Sequence, residues 1–288
     1  HRIAVMGGRY RGLMRRLFDR FLEAYGSPNY LDNSFAPWQG PVEALQKTHG
    51  IAVEPRYDLE NTRYLLSFSS PLLEAATSPV ENLSGWGQLR RGRSEHRGRV
   101  VQIETRHSVT AAKADEWVPI RPGSEGWLAL GIASVILRED LYDGYFLGEH
   151  SVGFSNFKSL ILENYSPKTA SDLTGVPIDT LLRLAREFAA TKPALAVCGR
   201  LDPRDQIAIH SLNALVGSLN ASGGPLVPAG TESYTLPSTP PPKPVADILS
   251  GRPYTLQALF FYYTNPLFSN PQGDRIREAF SKIPLLVS

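Results

Sequence analysis

The sequence has 288 residues, with 30 Lys+Arg against 28 Asp+Glu and a formal net charge of +2. That balance excludes a globally basic nucleic-acid binder and an acidic disordered tail, while 42% hydrophobic residues suffice for one large or two ordinary cores. A single cysteine excludes an internal disulfide, a CxxC metal knuckle and an iron–sulfur cluster held by this segment alone. No apolar run reaches the roughly 18–20 residues of a membrane span, and no signal peptide is legible.

The opening run from Arg2 to Gly8 is apolar and stopped by paired glycines, which predicts a strand. Leu13, Leu17, Phe18, Phe21, Leu22 and Tyr25 then recur at three- and four-residue steps, a helix that Gly26, Ser27, Pro28 and Asn29 stop. A strand, a glycine turn and a helix form the building block of a doubly wound sheet. Tyr64–Phe68, Val100–Ile103 and Trp117–Ile120 are continuous apolar runs, the pattern of strands buried on both faces. Between them, Gly85–Arg99 reads as a basic loop with Arg90, Arg91, Arg93, Arg97, Arg99 and His96. It is either a solvated loop or an anion or partner contact.

Trp127–Leu137 predicts a buried helix, and Leu141–Tyr165 several short ones. Pro177 opens an amphipathic helix through Leu181, Leu184, Ala185 and Phe188, with Pro where its missing N–H costs little. Ala194–Gly199 is another buried strand ending in glycine, and Ile207–Leu219 a helix. The stretch 223–244 is too rich in Pro for a helix or a central strand and reads as an extended excursion. Ala258–Tyr263 is a strand, Asp274–Phe280 a helix, and Pro284 opens a last strand. Leu65–Leu73 and Phe260–Phe268 look alike, each running from a strand through a polar residue into Pro-Leu. The expected fold class is α/β, with two doubly wound, Rossmann-like domains: 1–192, and an incomplete 193–288. His1 and Ser288 both fall inside strands, which predicts an excerpt of a longer protein.

Glycine turns after buried strands put backbone N–H groups at the carboxyl edge of a sheet, where nucleotide-like ligands sit in open α/β folds. Gly7-Gly8 is not a GxGxxG, and a tight turn without ligand is the preferred reading over a binding loop. Glu104 ends a strand, so it is either an ordinary strand-end carboxylate or an acceptor for ribose hydroxyls. Arg106 follows, able to pair with Glu104 or with a phosphate. Glu125 lies near a helix N-terminus, where the dipole favours a carboxylate. Cys198 reads as a structural thiol and His210 as a packed histidine. No metal-ligand spacing, Ser elbow, Walker loop or paired catalytic carboxylates stand out.

Several segments carry a resemblance to a known family. They are Gly26–Asn29, Ser70–Glu74 with Thr77–Pro79, Val101–Arg106, Thr110–Glu125 leading into Leu128–Gly131, Ser211–Gly217 and Thr264–Pro271. In that order the chain resembles the molybdopterin oxidoreductases of the dimethyl-sulfoxide-reductase type, and more narrowly the large subunits of polysulfide and thiosulfate reductases. The resemblance implies a central part of a catalytic subunit for two-electron respiratory redox chemistry in anaerobic electron transfer. It implies bis(molybdopterin guanine dinucleotide) with molybdenum or tungsten, and an iron–sulfur cluster only outside this segment. By the same analogy Ser70, Glu104, Arg106, Pro122, Gly123 and Glu125 line one guanine-nucleotide site, and Asn265 and Pro266 the other.

The implied partners are an iron–sulfur electron-transfer subunit and a membrane anchor subunit, with no nucleic acid and no direct membrane insertion. The implied location is periplasmic or membrane-associated. Two departures stand against the family pattern. Phe68, Ser69 and Ser70 replace the usual Gly-Ala-Asn before Pro-Leu, and the stretch after Asn29 has no cysteine to ligate a metal. Ser34 or Asp32 is an alternative oxygen ligand. The other reading is a cofactor-less, molybdopterin-binding-like structural subunit of a membrane quinone reductase.

Overall fold

The computed structural model describes residues 2–8, 13–32, 44–48, 50, 56–76, 78–91, 97–219, 223–226, 251, 254–269 and 272–288. The chain divides into two compact units, one of His1–Trp38 with Tyr234–Ser288, the other of Gln39–Ser233.

The first stretch of the smaller unit supplies strand β1 (Ile3–Gly7), helix α1 (Leu13–Ala24) and strand β2 (Tyr30–Asp32). The larger unit follows with β3 (Arg56–Tyr57), β4 (Tyr64–Phe68), α2 (Pro79–Arg91), β5 (Arg99–Glu104), α3 (Val109–Lys113) and β6 (Glu116–Pro119). Then come α4 (Glu125–Arg138), α5 (Gly144–His150), α6 (Phe154–Asn164), α7 (Pro167–Thr174), α8 (Ile178–Ala190), β7 (Ala194–Cys198), α9 (Pro203–Leu215) and β8 (Pro225–Leu226). The chain returns to the smaller unit with β9 (Ala258–Tyr262), α10 (Pro266–Ser269), α11 (Gly273–Phe280) and β10 (Leu285–Val287).

In the larger unit four parallel strands run in the order β6-β5-β4-β7. Alternation assigns their side chains to two cores. Tyr64, Leu66, Phe68, Val101 and Ile103 face α4, α8 and α9, while Leu65, Val100, Leu195 and Val197 face Leu72, Trp86 and Leu89. Helix α4 is apolar almost all round, and eleven of its residues are buried, the mark of a helix enclosed by protein. The network at the sheet's amino edge is ionic. Glu116 accepts from Arg99 at 2.8 Å and Arg183 at 2.5 Å, and Glu187 accepts from the Tyr64 hydroxyl at 2.6 Å and Arg183 at 3.1 Å.

The smaller unit repeats the plan with parallel strands in the order β10-β9-β1-β2. Phe18 of α1 meets Tyr262 at a tilt, and Phe21 meets Phe260 edge-on. Ile276, Ala279 and Phe280 of α11 join Ala4, Met6, Leu31 and Leu259 in its core. Both units are therefore α/β with parallel sheets, as expected.

Three expectations are corrected. The boundary expected near Lys192 falls inside the larger unit, because β7 pairs in register with β4 (Phe68 with Cys198) and β1 pairs with β9. The smaller unit is thus assembled from both ends of the chain, which local composition does not register. Second, Gly85–Arg91 of the expected basic loop is the end of helix α2, where Gly85 and Gly87 hide the helical pattern. Its Arg90 and Arg97 pair with Asp115 and its Arg99 with Glu116, which supports neither a purely solvated loop nor a free anion site. Residues 92–96 lie outside the described residues, as does most of the excursion 223–244. Third, β6 is an edge strand with only Val118 buried, not one buried on both faces.

Candidate functional site

The carboxyl ends of β4, β5 and β7 meet the first turns of α4 and α9 at one edge of the larger unit's sheet. After β4 the chain turns through Ser69 in the left-handed region at φ 47°, a conformation costing a non-glycine residue about 1–2 kcal/mol. Backbone bonds hold it there: Ser69 N donates to Ile103 O at 2.8 Å, and Gly199 N donates to Phe68 O at 2.9 Å. A Cβ on Gly199 would lie 2.1 Å from Ser69 O, so only glycine fits after β7.

The same device recurs in the smaller unit. After β9, Tyr263 has φ 53°, Gly8 N donates to Tyr262 O at 3.0 Å, and a Cβ on Gly8 would lie 2.0 Å from Tyr263 O. The likeness of the two strand–Pro-Leu segments is therefore a likeness of backbone geometry. It also locates the departure from the family pattern. Two residues, Thr264 and Asn265, separate the left-handed residue from proline in the smaller unit, whereas Ser70 alone does so in the larger.

The expected site residues take up different positions. Ser70, Glu104 and Glu125 are brought to this edge and are buried. Glu125 opens α4, and its Oε1 accepts from Ser69 Oγ at 2.7 Å, while its Oε2 is buried without a partner. Glu104 accepts from Ser108 N on Oε1 and from Gln102 Nε2 on Oε2, both at 3.0 Å. Ser70 O accepts from Gln102 Nε2 at 3.2 Å. Pro122 and Gly123 are exposed in the turn before α4, Gly123 at φ 72°. Arg106 is exposed and pairs with Glu74 at 3.1 Å rather than with Glu104. Asn265 and Pro266 belong to the smaller unit, where Asn265 accepts from Phe268 N at 3.3 Å and caps α10. Asp32 ends β2, and Ser34 lies outside the described residues.

Four contributors escaped the sequence reading: Ser69, Gly199, Gln102 and Asp205. The Asp205 carboxyl lies against the first turn of α4, 2.2 Å from where a Cβ on Gly126 would stand. Burial pushes Asp205 above the ordinary carboxylate range, and the charges of Glu125 and Asp202 push it further. A glutamine inside the apolar run Val100–Ile103 was the one legible signal for Gln102. Burial, then the charge of Asp205, pushes the Cys198 thiol up to about 12, with His210 Nε2 3.7 Å away. Among the described residues, no group of three His, Cys, Asp or Glu could hold a metal ion, and no helix is long and apolar enough to cross a membrane.

Among the described residues, three buried side-chain polar atoms have no partner: Ser67 Oγ, Gln102 Oε1 and Glu125 Oε2. All three lie toward the carboxyl edge, on β4, β5 and the start of α4. Comparison with known proteins identifies the family. The chain is 27% identical to the arsenate respiratory reductase molybdopterin-containing subunit of Chrysiogenes arsenatis, over 100% of this chain and 41% of that protein. It is 30% identical to dimethyl sulfoxide reductase of Escherichia coli, over 82% of this chain and 31% of the relative. The chain belongs to the molybdopterin oxidoreductase family.

Another relative, 26% identical over 99% of this chain and 42% of its own length, is the menaquinone reductase molybdopterin-binding-like subunit of Nitratidesulfovibrio vulgaris. No protein-family model matches the chain itself. Its fold is that of the acetylene hydratase from Pelobacter acetylenicus, with a TM-score of 0.72 at 17% identity, covering 99% of this chain and 46% of that one. The chain spans about two fifths of the length of the arsenate and menaquinone reductase subunits it matches.

Proposed function

We propose that this chain is the nucleotide-holding part of a molybdopterin-dependent oxidoreductase subunit, and that the carboxyl edge of its larger sheet takes the guanine end of a molybdopterin guanine dinucleotide. The supporting observation is Glu125. Its Oε1 is held by Ser69, and its buried Oε2 is an acceptor without a donor. A base edge carrying N–H groups supplies the missing donors, and a buried acceptor left alone costs about 1–3 kcal/mol. The acceptors at this edge fit the group. Glu104 keeps lone pairs for ribose hydroxyls, Ser70 and the Pro122–Gly123 turn shape the wall, and the exposed Arg106 would exchange Glu74 for a phosphate. Asn265 and Pro266 would line the second nucleotide's site.

When bound, the cofactor supplies the metal–dithiolene centre at which two-electron oxygen- or sulfur-transfer occurs. The chain's own part is to bind and orient the nucleotide. Iron–sulfur and membrane-anchor partner subunits and a periplasmic or membrane-associated location complete this reading.

The test is Glu125→Gln in the full-length protein, scored by guanine nucleotide released on acid hydrolysis and by thermal stability. The expected result is a loss of nucleotide worth about 1.5–3 kcal/mol of charge-assisted hydrogen bonding, with the fold intact. A variant that keeps its nucleotide and loses only about 0.3–1 kcal/mol of stability would reduce Glu125 to a dipole-complementing residue. A second reading, a cofactor-less structural subunit, is favoured by the shortened turn after β4, where Ser70 alone separates the left-handed Ser69 from proline. Molybdenum, tungsten and guanine nucleotide below stoichiometry in the native protein would select it.

A further inference from the structure

Polar residues are distributed unevenly over the larger sheet. On the face that carries Leu65 and Val100, the carboxyl halves of β4 and β5 carry Ser67, Gln102 and Glu104 instead of apolar residues. Gln102 is fully buried and stands beside Ser67 in the ladder. Its Nε2 divides its two hydrogens between Ser70 O, 3.2 Å away, and Glu104 Oε2, 3.0 Å away. A carbonyl oxygen and a carboxylate can only accept, so the amide is fixed in this orientation. Its Oε1 is left buried without a donor.

An apolar side chain would fill the same volume without that unpaired atom. What Gln102 adds is a tie between the turn after β4 and the carboxylate that ends β5. Glu104 in turn receives one hydrogen bond on each oxygen, from Gln102 and from Ser108 N. Each oxygen keeps a lone pair, an arrangement matched to two neighbouring hydroxyls.

We propose that Gln102 is a positioning residue that holds Glu104 and Ser70 in the geometry that receives the vicinal hydroxyls of a ribose. This rests on the reading of the edge as a nucleotide site. Gln102 touches no ligand itself and acts through Glu104, so the two residues should not act independently.

The experiment compares Gln102→Met, Glu104→Gln and the double variant in the full-length protein. It reads guanine nucleotide retained per polypeptide after extended dialysis, beside thermal stability. Gln102→Met and Glu104→Gln should each lower retention about tenfold, the size of one charge-assisted hydrogen bond. The double variant should retain as much as Glu104→Gln alone, because Gln102 acts only through the Glu104 carboxylate, which that variant already lacks. Losses that multiply in the double variant would mean a merely structural role and overturn the proposal. So would wild-type retention in Glu104→Gln, a result that stands even if Gln102→Met fails to fold. A native protein without guanine nucleotide would overturn the nucleotide reading itself. A native protein that holds it, alongside variants that hold it equally, overturns only the role of Gln102.

Discussion

Gly199 sits where nothing larger fits, and Gly199→Ala tests the geometry of the whole edge. An added Cβ would stand 2.1 Å from Ser69 O and 2.9 Å from its carbonyl carbon. Both are backbone atoms, so no side chain can rotate out of the way. Ser69 is held from two directions, by Ile103 O on its N–H and by Glu125 on its hydroxyl. Restoring ordinary contact needs a shift of more than about 1 Å in a close-packed region, and such overpacking typically costs about 1–3 kcal/mol. For a unit of this size that lowers Tm by about 2–4 °C per kcal/mol. Gly8→Ala meets Tyr263 O at 2.0 Å and should cost a similar amount in the smaller unit. Gly148→Ala is the control. It lies inside α5 with nothing near a new Cβ, so it should gain about 0.5–1 kcal/mol. Scanning calorimetry on the full-length protein reads all three. A Gly199→Ala protein as stable as the wild type, or a Gly148→Ala protein as damaged as Gly199→Ala, would refute the reasoning.

Asn213 closes the open side of edge strand β7, its amide pairing with Ala196 N at 2.7 Å and Ala196 O at 2.8 Å. Asn213→Ala strands both buried backbone groups and should cost about 2–5 kcal/mol by urea unfolding; a change under about 0.5 kcal/mol would show that water replaces it. Burial raises the Glu187 carboxyl, but the Tyr64 hydroxyl and the Arg183 and Arg99 charges outweigh it and hold it below its ordinary range. A depressed carboxylate contributes stability above its unfolded value and loses it as pH falls through its folded value. The stability gap between wild type and Glu187→Gln should therefore be full at neutral pH and close in acid below the ordinary carboxylate range; a gap that persists there speaks against the ionic network. Cys198, with its thiol pushed up to about 12, should resist alkylation in the folded protein at pH 7. Cys198→Ser should leave metal content unchanged, and lost metal with an intact fold would contradict this.

Much of the fold was legible because the relevant signals are local. The run Tyr64–Phe68 has a core on each face, so it is apolar at every position but Ser67. The Pro177 helix shows its apolar face at Leu181, Leu184, Ala185 and Phe188, and all four are buried. Helix α9 begins at Pro203, earlier than Ile207, because Asp202 caps it and proline suits its first turn. The family resemblance was also carried by short segments, and it identified Glu104 and Glu125 as carboxylates of interest. It did not say what holds them.

What the sequence determined by itself is the alternation of strands and helices, the glycine turns after strands and the family, all encoded over a few neighbouring residues. Tertiary structure alone decided the rest. It joined β1 to β9 across more than two hundred residues, which moved the expected boundary. It set Gly199 against Ser69 and Gly8 against Tyr263, so that two sequence-distant glycines became steric necessities. It paired Arg106 with Glu74 and left one oxygen of Glu125 without a donor. Sheet order and hydrogen-bond satisfaction depend on which strands meet in space, and a single chain's local pattern does not contain that information.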